Sequence, residues 1–186
     1  MFDAARLPYA ENVAATRAAV VWAHENGLWL EAELGQVGGK NGQTPLDAHA
    51  PGARTDPEEA LAFVAATGVD ALAVAVGTAH AMTSRDARID HDLLARLRKA
   101  VPVPLVLHGS SGASDEELAR AVAGGIAKVN IGTALNIAMT GAVREHLARD
   151  ERGVDPRAYL AQGRDAMART VTRLIGVLPA PAVKAA

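Results

Sequence analysis

Short apolar runs alternate along this chain with longer segments whose apolar side chains recur at helical spacing. Residues 10–26 put Val13, Ala14, Arg17, Val20, Val21 and His24 on a helical repeat, and Gly27 stops it. Residues 29–34, WLEAEL, alternate apolar and acidic, so a strand here carries Glu31 and Glu33 on one face. Residues 36–55 are polar and rich in Gly and Pro, a long loop. Asp56-Pro57-Glu58-Glu59 opens a helix to Thr67: an acceptor at the N-cap, Pro at N1, acid in the first turn. Residues 69–76, VDALAVAV, are an apolar strand, and 90–100 an amphipathic helix. Residues 105–107 are the next strand, and Ser114-Asp115-Glu116-Glu117 has the capping-box pattern of a helix start. A strand at 127–131 and helices at 134–148 and 156–178 complete the pattern, with a frayed tail at 179–186.

Strands apolar on both faces and alternating with helices predict an α/β fold, a parallel sheet covered by helices. With a stub at residues 1–4 there are five strands. A (β/α)8 TIM barrel takes roughly 250 residues, so 186 residues supply about the last five βα units, three units of about 30 residues short. Residues 1–178 are then one partial barrel domain. A complete five-stranded, flavodoxin-like sheet is the alternative.

Composition narrows the chemistry. No cysteine is present, which excludes disulfides, thiolate metal sites and a cysteine nucleophile. The net charge of −2 gives no polybasic footprint for nucleic acid or an acidic membrane. No signal-peptide pattern and no apolar run of about 18 residues occur, so a cytoplasmic protein is expected. Of 19 basic residues only Lys40, Lys99, Lys128 and Lys184 are lysine, a short set of Schiff-base candidates.

Polar residues gather at strand ends. His80 follows DALAVAVGTA and His108 follows PLVL. On one barrel rim these imidazoles are neighbours able to hold a divalent metal; two histidines satisfied by backbone carbonyls are the equal alternative. Gly109-Ser110-Ser111-Gly112 leads from His108 to a helix, and Asn130-Ile131-Gly132-Thr133 leads from the next strand to another. Two small-residue strand ends before helix starts have the form of a barrel phosphate site. Glu33, nearer its strand's C-terminal end than Glu31, is the better candidate to support a cation or a histidine.

GTAH at 77–80, VLHGSSG at 106–112 and KVNIGT at 128–133 resemble motifs of the class II, zinc-dependent ketose-bisphosphate aldolases. EAELGQVGG at 31–39, TDPEEA at 55–60 and FDAARLPYAENV at 2–13 fit the same family in the same order. The likeness is to the fructose- and tagatose-bisphosphate branch. It implies a (β/α)8 barrel, dimeric or tetrameric, with zinc on three histidines, two of them His80 and His108. The family's catalytic aspartate and first zinc histidine fall upstream of Met1 in this reading. The resemblance places Ala81, Gly109, Ser110, Ser111, Asn130, Ile131, Gly132 and Thr133 around dihydroxyacetone phosphate and matches Arg169 loosely to a residue holding the far phosphate. A monovalent cation is a further candidate.

The chain departs from the family pattern at three single positions and in one loop. Ala81 and Ser110 stand where glycine is usual, and Gly132 where aspartate is frequent. Lys40-Asn41-Gly42 stand where a loop glutamate transfers protons, with Asp47 and His49 as candidate replacements. Two rivals compete with a zinc aldolase. One is a lysine-based aldolase using Lys128, which shares a strand face with Asn130. The other is a catalytically incomplete fragment or a non-enzymatic phosphosugar-binding remnant, lacking the catalytic aspartate and first zinc histidine, whose open sheet edges invite swapping, oligomerisation or aggregation.

Overall fold

The computed structural model describes residues 1–35, 37–38 and 53–178. Helix α1 (Tyr9–Glu25) leads to β1 (Glu31–Leu34), α2 (Pro57–Thr67), β2 (Ala71–Val74), α3 (His91–Ala100) and β3 (Leu105–Leu107). A single 3₁₀ turn (Ser110–Gly112) then precedes α4 (Asp115–Ala123), β4 (Ile126–Val129), α5 (Thr133–Arg149) and α6 (Pro156–Val177). All strand pairs are parallel, in the order β1-β2-β3-β4. The stub before α1 joins through one parallel bridge, Phe2 to Ala32, with Phe2 N–H donating to Glu31 O at 2.8 Å. The fifth predicted strand is thus a single rung. Lys40, Asn41, Asp47, His49 and the tail 179–186 lie outside the described residues.

Local chemistry sets the helix starts. Asp56 Oδ1 accepts from Glu58 N–H at 2.9 Å and Glu59 N–H at 3.0 Å, with Pro57 at N1. Ser114 Oγ accepts from Glu117 N–H at 3.1 Å. Only that half of the predicted capping box forms. The Glu117 carboxylate turns instead to Ile89 N–H at 2.8 Å and His91 Nε2 at 3.2 Å, tying α3 to α4. The strand predicted at 69–76 is shorter because its C-terminal bonds go to loops: Ala75 exchanges bonds with Thr55, and Val76 O accepts from Asp90 N–H. The strand predicted at 127–131 ends at Val129, although Asn130 N–H still donates to Leu107 O at 2.9 Å.

The two sheet faces are chemically separate. Ala32, Leu34, Leu72, Val74, Leu105, Leu107 and Ile126 point into one core with Phe63, Leu94, Leu97 and Leu118 from the helices. Phe63, Leu72, Leu94, Leu97, Leu105 and Leu107 are fully buried, each contributing about 1.5–3 kcal/mol. The other face carries Glu31, Glu33, Ala71, Ala73, Val106 and Lys128, of which Ala71, Ala73 and Val106 form a small apolar cluster. Sequential strand order with the helical layer on one face is the winding of a barrel arc. A flavodoxin-like sheet would place β1 inside a permuted order with helices on both faces, and that alternative is excluded.

One irregularity positions a charge. Leu105 pairs with Ile126, but Val106 pairs with Lys128, so Ala127 is an extra residue on β4. The bulge sends Ile126 to the helices and Lys128 to the inner face.

Candidate metal and anion site

Three strand ends build the site. β1 contributes Glu31 and Glu33, β2 runs on to His80, and β3 delivers His108 directly. Thr78 Oγ1 donates to His108 O at 2.6 Å, joining the ends of β2 and β3. The imidazoles of His80 and His108 stand 5.8 Å apart, centroid to centroid, tilted by 54°.

His108 is buried and held on both nitrogens. Nδ1 lies 2.6 Å from Glu33 Oε2, and Nε2 lies 2.9 Å from Glu31 Oε1. Glu31 Oε2 in turn accepts from Lys128 Nζ at 2.6 Å. Burial by itself depresses the His108 pKa, but hydrogen bonds and charge from Glu31 and Glu33 outweigh it and push it up to about 9. Burial likewise raises Glu31, yet His108 and Lys128 bring its pKa below the ordinary glutamate value.

His80 is different. Its backbone N–H donates to Gly38 O at 2.6 Å. Its Nε2 is buried and has no hydrogen-bond partner among the described residues; the nearest carboxylate oxygen, Glu33 Oε2, is 4.0 Å away. Buried polar nitrogens are ordinarily satisfied. One ligand atom each from Glu33, His80 and His108 lie within 4.8 Å of one another. Two imidazole nitrogens and a carboxylate oxygen are a zinc donor set, and the orphaned Nε2 is the atom an ion would satisfy. The residues fit a divalent metal.

A cavity of about 670 Å³ opens above this cluster. Its lining includes Gly109, Ser110 and Ser111 on one side and Asn130, Ile131, Gly132 and Thr133 on another, with Ala81, Met1 and Asp3 completing the rim. Gly109 has φ +66°, and a Cβ there would lie 2.5 Å from Ala79 O. Small size at this position is therefore required by the backbone passing over it. Ser111 Oγ accepts from Ala134 N–H at 3.0 Å, satisfying one donor of the α5 start, whose N-cap Gly132 has no capping side chain.

Of the predicted metal and substrate residues, all but Arg169 line this cavity. Arg169 is exposed on α6 and is not among the lining residues. Ser110 is buried and its hydroxyl donates to Leu107 O at 3.0 Å, so the side chain expected to face an anion is turned into the loop. Ala81 has φ +57°, the left-handed region that glycine occupies at no cost, which gives a backbone reason for the family's glycine there. Lys128 reaches the inner face as expected, where its Nζ donates to Glu31 Oε2 at 2.6 Å. The chain's single Asp-His dipeptide, Asp90-His91, opens α3 beside Arg54 and Glu117, apart from the cavity.

Two threonines escaped the sequence reading. Thr78 lies within GTAH, the motif that ends in His80. Thr55 Oγ1 donates to Leu34 O at 2.6 Å and accepts from Ala75 N–H at 2.8 Å, clipping β1 to β2. Their partners are 20 or more residues away, so no local pattern announces them.

A barrel arc with histidines, carboxylates and small-residue loops at the C-terminal ends of its strands belongs to the α/β-barrel proteins that work at that rim. The family model of fructose-bisphosphate aldolase class-II matches residues 1–180, and the chain belongs to that family. Among solved structures, the YdjI aldolase from Escherichia coli K12 shares 34% identity at a TM-score of 0.78, covering 97% of this chain and 60% of that one. The fructose-bisphosphate aldolase from Campylobacter jejuni is 23% identical at a TM-score of 0.75, over 95% of this chain and 59% of that one, a likeness of fold. The chain thus spans less than two thirds of the length of these structures. No described helix is long and apolar enough to cross a membrane.

Proposed function

We propose that this chain carries the metal- and phosphate-binding part of a zinc-dependent aldolase. The reaction is cleavage of a ketose 1,6-bisphosphate, fructose or tagatose, to dihydroxyacetone phosphate and an aldehyde such as glyceraldehyde 3-phosphate, or the reverse condensation. The observation that carries this reading is the buried His80 Nε2, unpartnered among the described residues, beside Glu33 and His108 at the floor of the small-residue cavity.

His80, His108 and Glu33 would hold the zinc. When bound there, it supplies Lewis-acid polarisation of the substrate carbonyl. The loops at 109–111 and 130–133, with Ala81, bind and orient the phosphate through small residues that let backbone N–H groups approach. Glu31 and Lys128 keep opposite charges next to His108, so the buried ligand set is not left with uncompensated carboxylates. In this reading the proton-transferring aspartate and a further zinc histidine precede Met1. Residues 1–178 act as part of one barrel domain, in a cytoplasmic homodimer or homotetramer serving carbohydrate metabolism. Arg169 reaches the far phosphate only across a subunit contact, and a monovalent cation can join the substrate.

A second reading is a phosphosugar-binding protein without turnover. It is favoured by the cavity's carboxylates, which among the described residues are Glu33 and Asp3, the first committed to His108. Zinc content and bisphosphate cleavage are to be measured on this chain and on one extended upstream by about 90 residues, three βα units. Zinc-dependent cleavage abolished by EDTA supports the aldolase. Phosphosugar binding with no cleavage in either form supports the second reading, and EDTA-insensitive cleavage overturns the zinc role.

A further inference from the structure

The two nitrogens of the His108 ring face different carboxylates, one in the metal cluster and one outside it. Nδ1 faces Glu33, which together with His80 makes up the rest of the cluster. Nε2 faces Glu31, which is outside the cluster and is itself anchored by Lys128 from β4. The two carboxylates leave β1 on the same side, two residues apart, and so grip one imidazole at both ends.

We infer that Glu31 and Lys128 are positioning residues for the metal: they hold His108 in the tautomer protonated on Nε2, so that Nδ1 is the ligating nitrogen. This rests on the zinc reading of His80, His108 and Glu33. The argument is geometric. Zinc needs a bare nitrogen lone pair, and an imidazole with one N–H can offer only the other nitrogen. A carboxylate accepting from Nε2–H selects that tautomer and orients the ring. Glu31 can do this only if it cannot swing toward the metal or into solvent, and the ion pair with Lys128 at 2.6 Å holds its second oxygen. Lys128 reaches Glu31 across β2 and β3 because the Ala127 bulge turns it to the inner face.

Zinc affinity of the full 186-residue chain, measured by competition with a chromophoric chelator, tests this directly. Glu31→Ala and Lys128→Met are expected to bind zinc about 10–100-fold more weakly than the unmodified chain, while Lys128→Arg keeps its affinity. Long-range ¹H–¹⁵N spectra of the zinc-loaded, unmodified chain should show His108 protonated on Nε2. That spectrum decides the point even if Glu31→Ala fails to fold. Undiminished affinity in folded Glu31→Ala and Lys128→Met, or ligation through Nε2, overturns the inference and leaves the zinc site standing. The same comparison is made in the chain extended upstream by about 90 residues, and no zinc bound by either unmodified form overturns the reading beneath it.

Discussion

The hydroxyl of Thr78 donates to the backbone carbonyl of His108 at 2.6 Å, and both groups are buried. One bond thereby fixes the spacing of two strand ends, each carrying a histidine of the cluster. Thr78→Val keeps the shape and deletes the donor, leaving a buried carbonyl unsatisfied. A loss of about 1–3 kcal/mol in denaturant unfolding is expected, with weaker zinc binding. Thr78→Ser should restore both, and a Val variant as stable as the parent would remove this bond from the account.

Thr55 does the equivalent work one strand earlier, between Leu34 O and Ala75 N–H. Gly35 makes room for it: φ is +91°, and a Cβ there would sit 2.6 Å from Thr55 Oγ1. Thr55→Val loses both hydrogen bonds and is expected to cost about 1–3 kcal/mol. Urea midpoints of Thr55→Val and Thr55→Ser compared with the parent check this, the Ser variant lying close to the parent.

Gly109 and Ala81 make opposite predictions at the cavity rim. Gly109→Ala forces a methyl against Ala79 O in the left-handed region, so stability falls by more than about 1 kcal/mol and phosphate binding is lost. Ala81→Gly relaxes the described residue that holds φ > 0 without being glycine and raises stability by up to about 1 kcal/mol. Thermal melts and phosphate titration of the two variants read these effects, and an Ala81→Gly chain that melts lower would show that the methyl contributes packing.

The carboxylate grip on His108 gives the metal-free chain a pH signature. The His108 pKa is raised from 6.5 to about 9. Its contribution is fully present below 6.5 and is lost as pH rises through about 9. The Glu31 pKa is lowered from 4.5, so its contribution is present above 4.5 and is lost as pH falls through the lower folded value. With EDTA present, urea midpoints should be highest between these limits, near pH 5.5, and drop markedly by about pH 9.5. Equal midpoints at the two pH values would show that the His108 proton is not held by the fold.

What the linear sequence determined here is what neighbours along the chain can decide. Asp56 and Pro57 start α2 through backbone groups two and three residues away, and Thr67 ends it where predicted because Gly68 takes the left-handed cap. The alternation in WLEAEL by itself puts Glu31 and Glu33 on one face, since a strand has period two. The strand-end positions of His80, His108 and the two small-residue loops followed from the same reasoning, and the structure gathers them at one cavity. Tertiary structure decided what depends on register and on distant partners. His108 meets its two carboxylates across 75 and 77 residues. The Ala127 bulge, not the β4 sequence, turns Lys128 inward, for an unbroken register from Leu105 and Ile126 would have sent it to the helices. The Ser110 hydroxyl goes to Leu107 O although the residue lines the cavity, and the Glu117 carboxylate goes to Ile89 N–H and His91 Nε2 while its own N–H keeps the Ser114 cap, because in each case a neighbouring polar group competes for the same side chain. Local propensity selects the elements, but long-range hydrogen bonds and sheet register select which polar atoms they bring together.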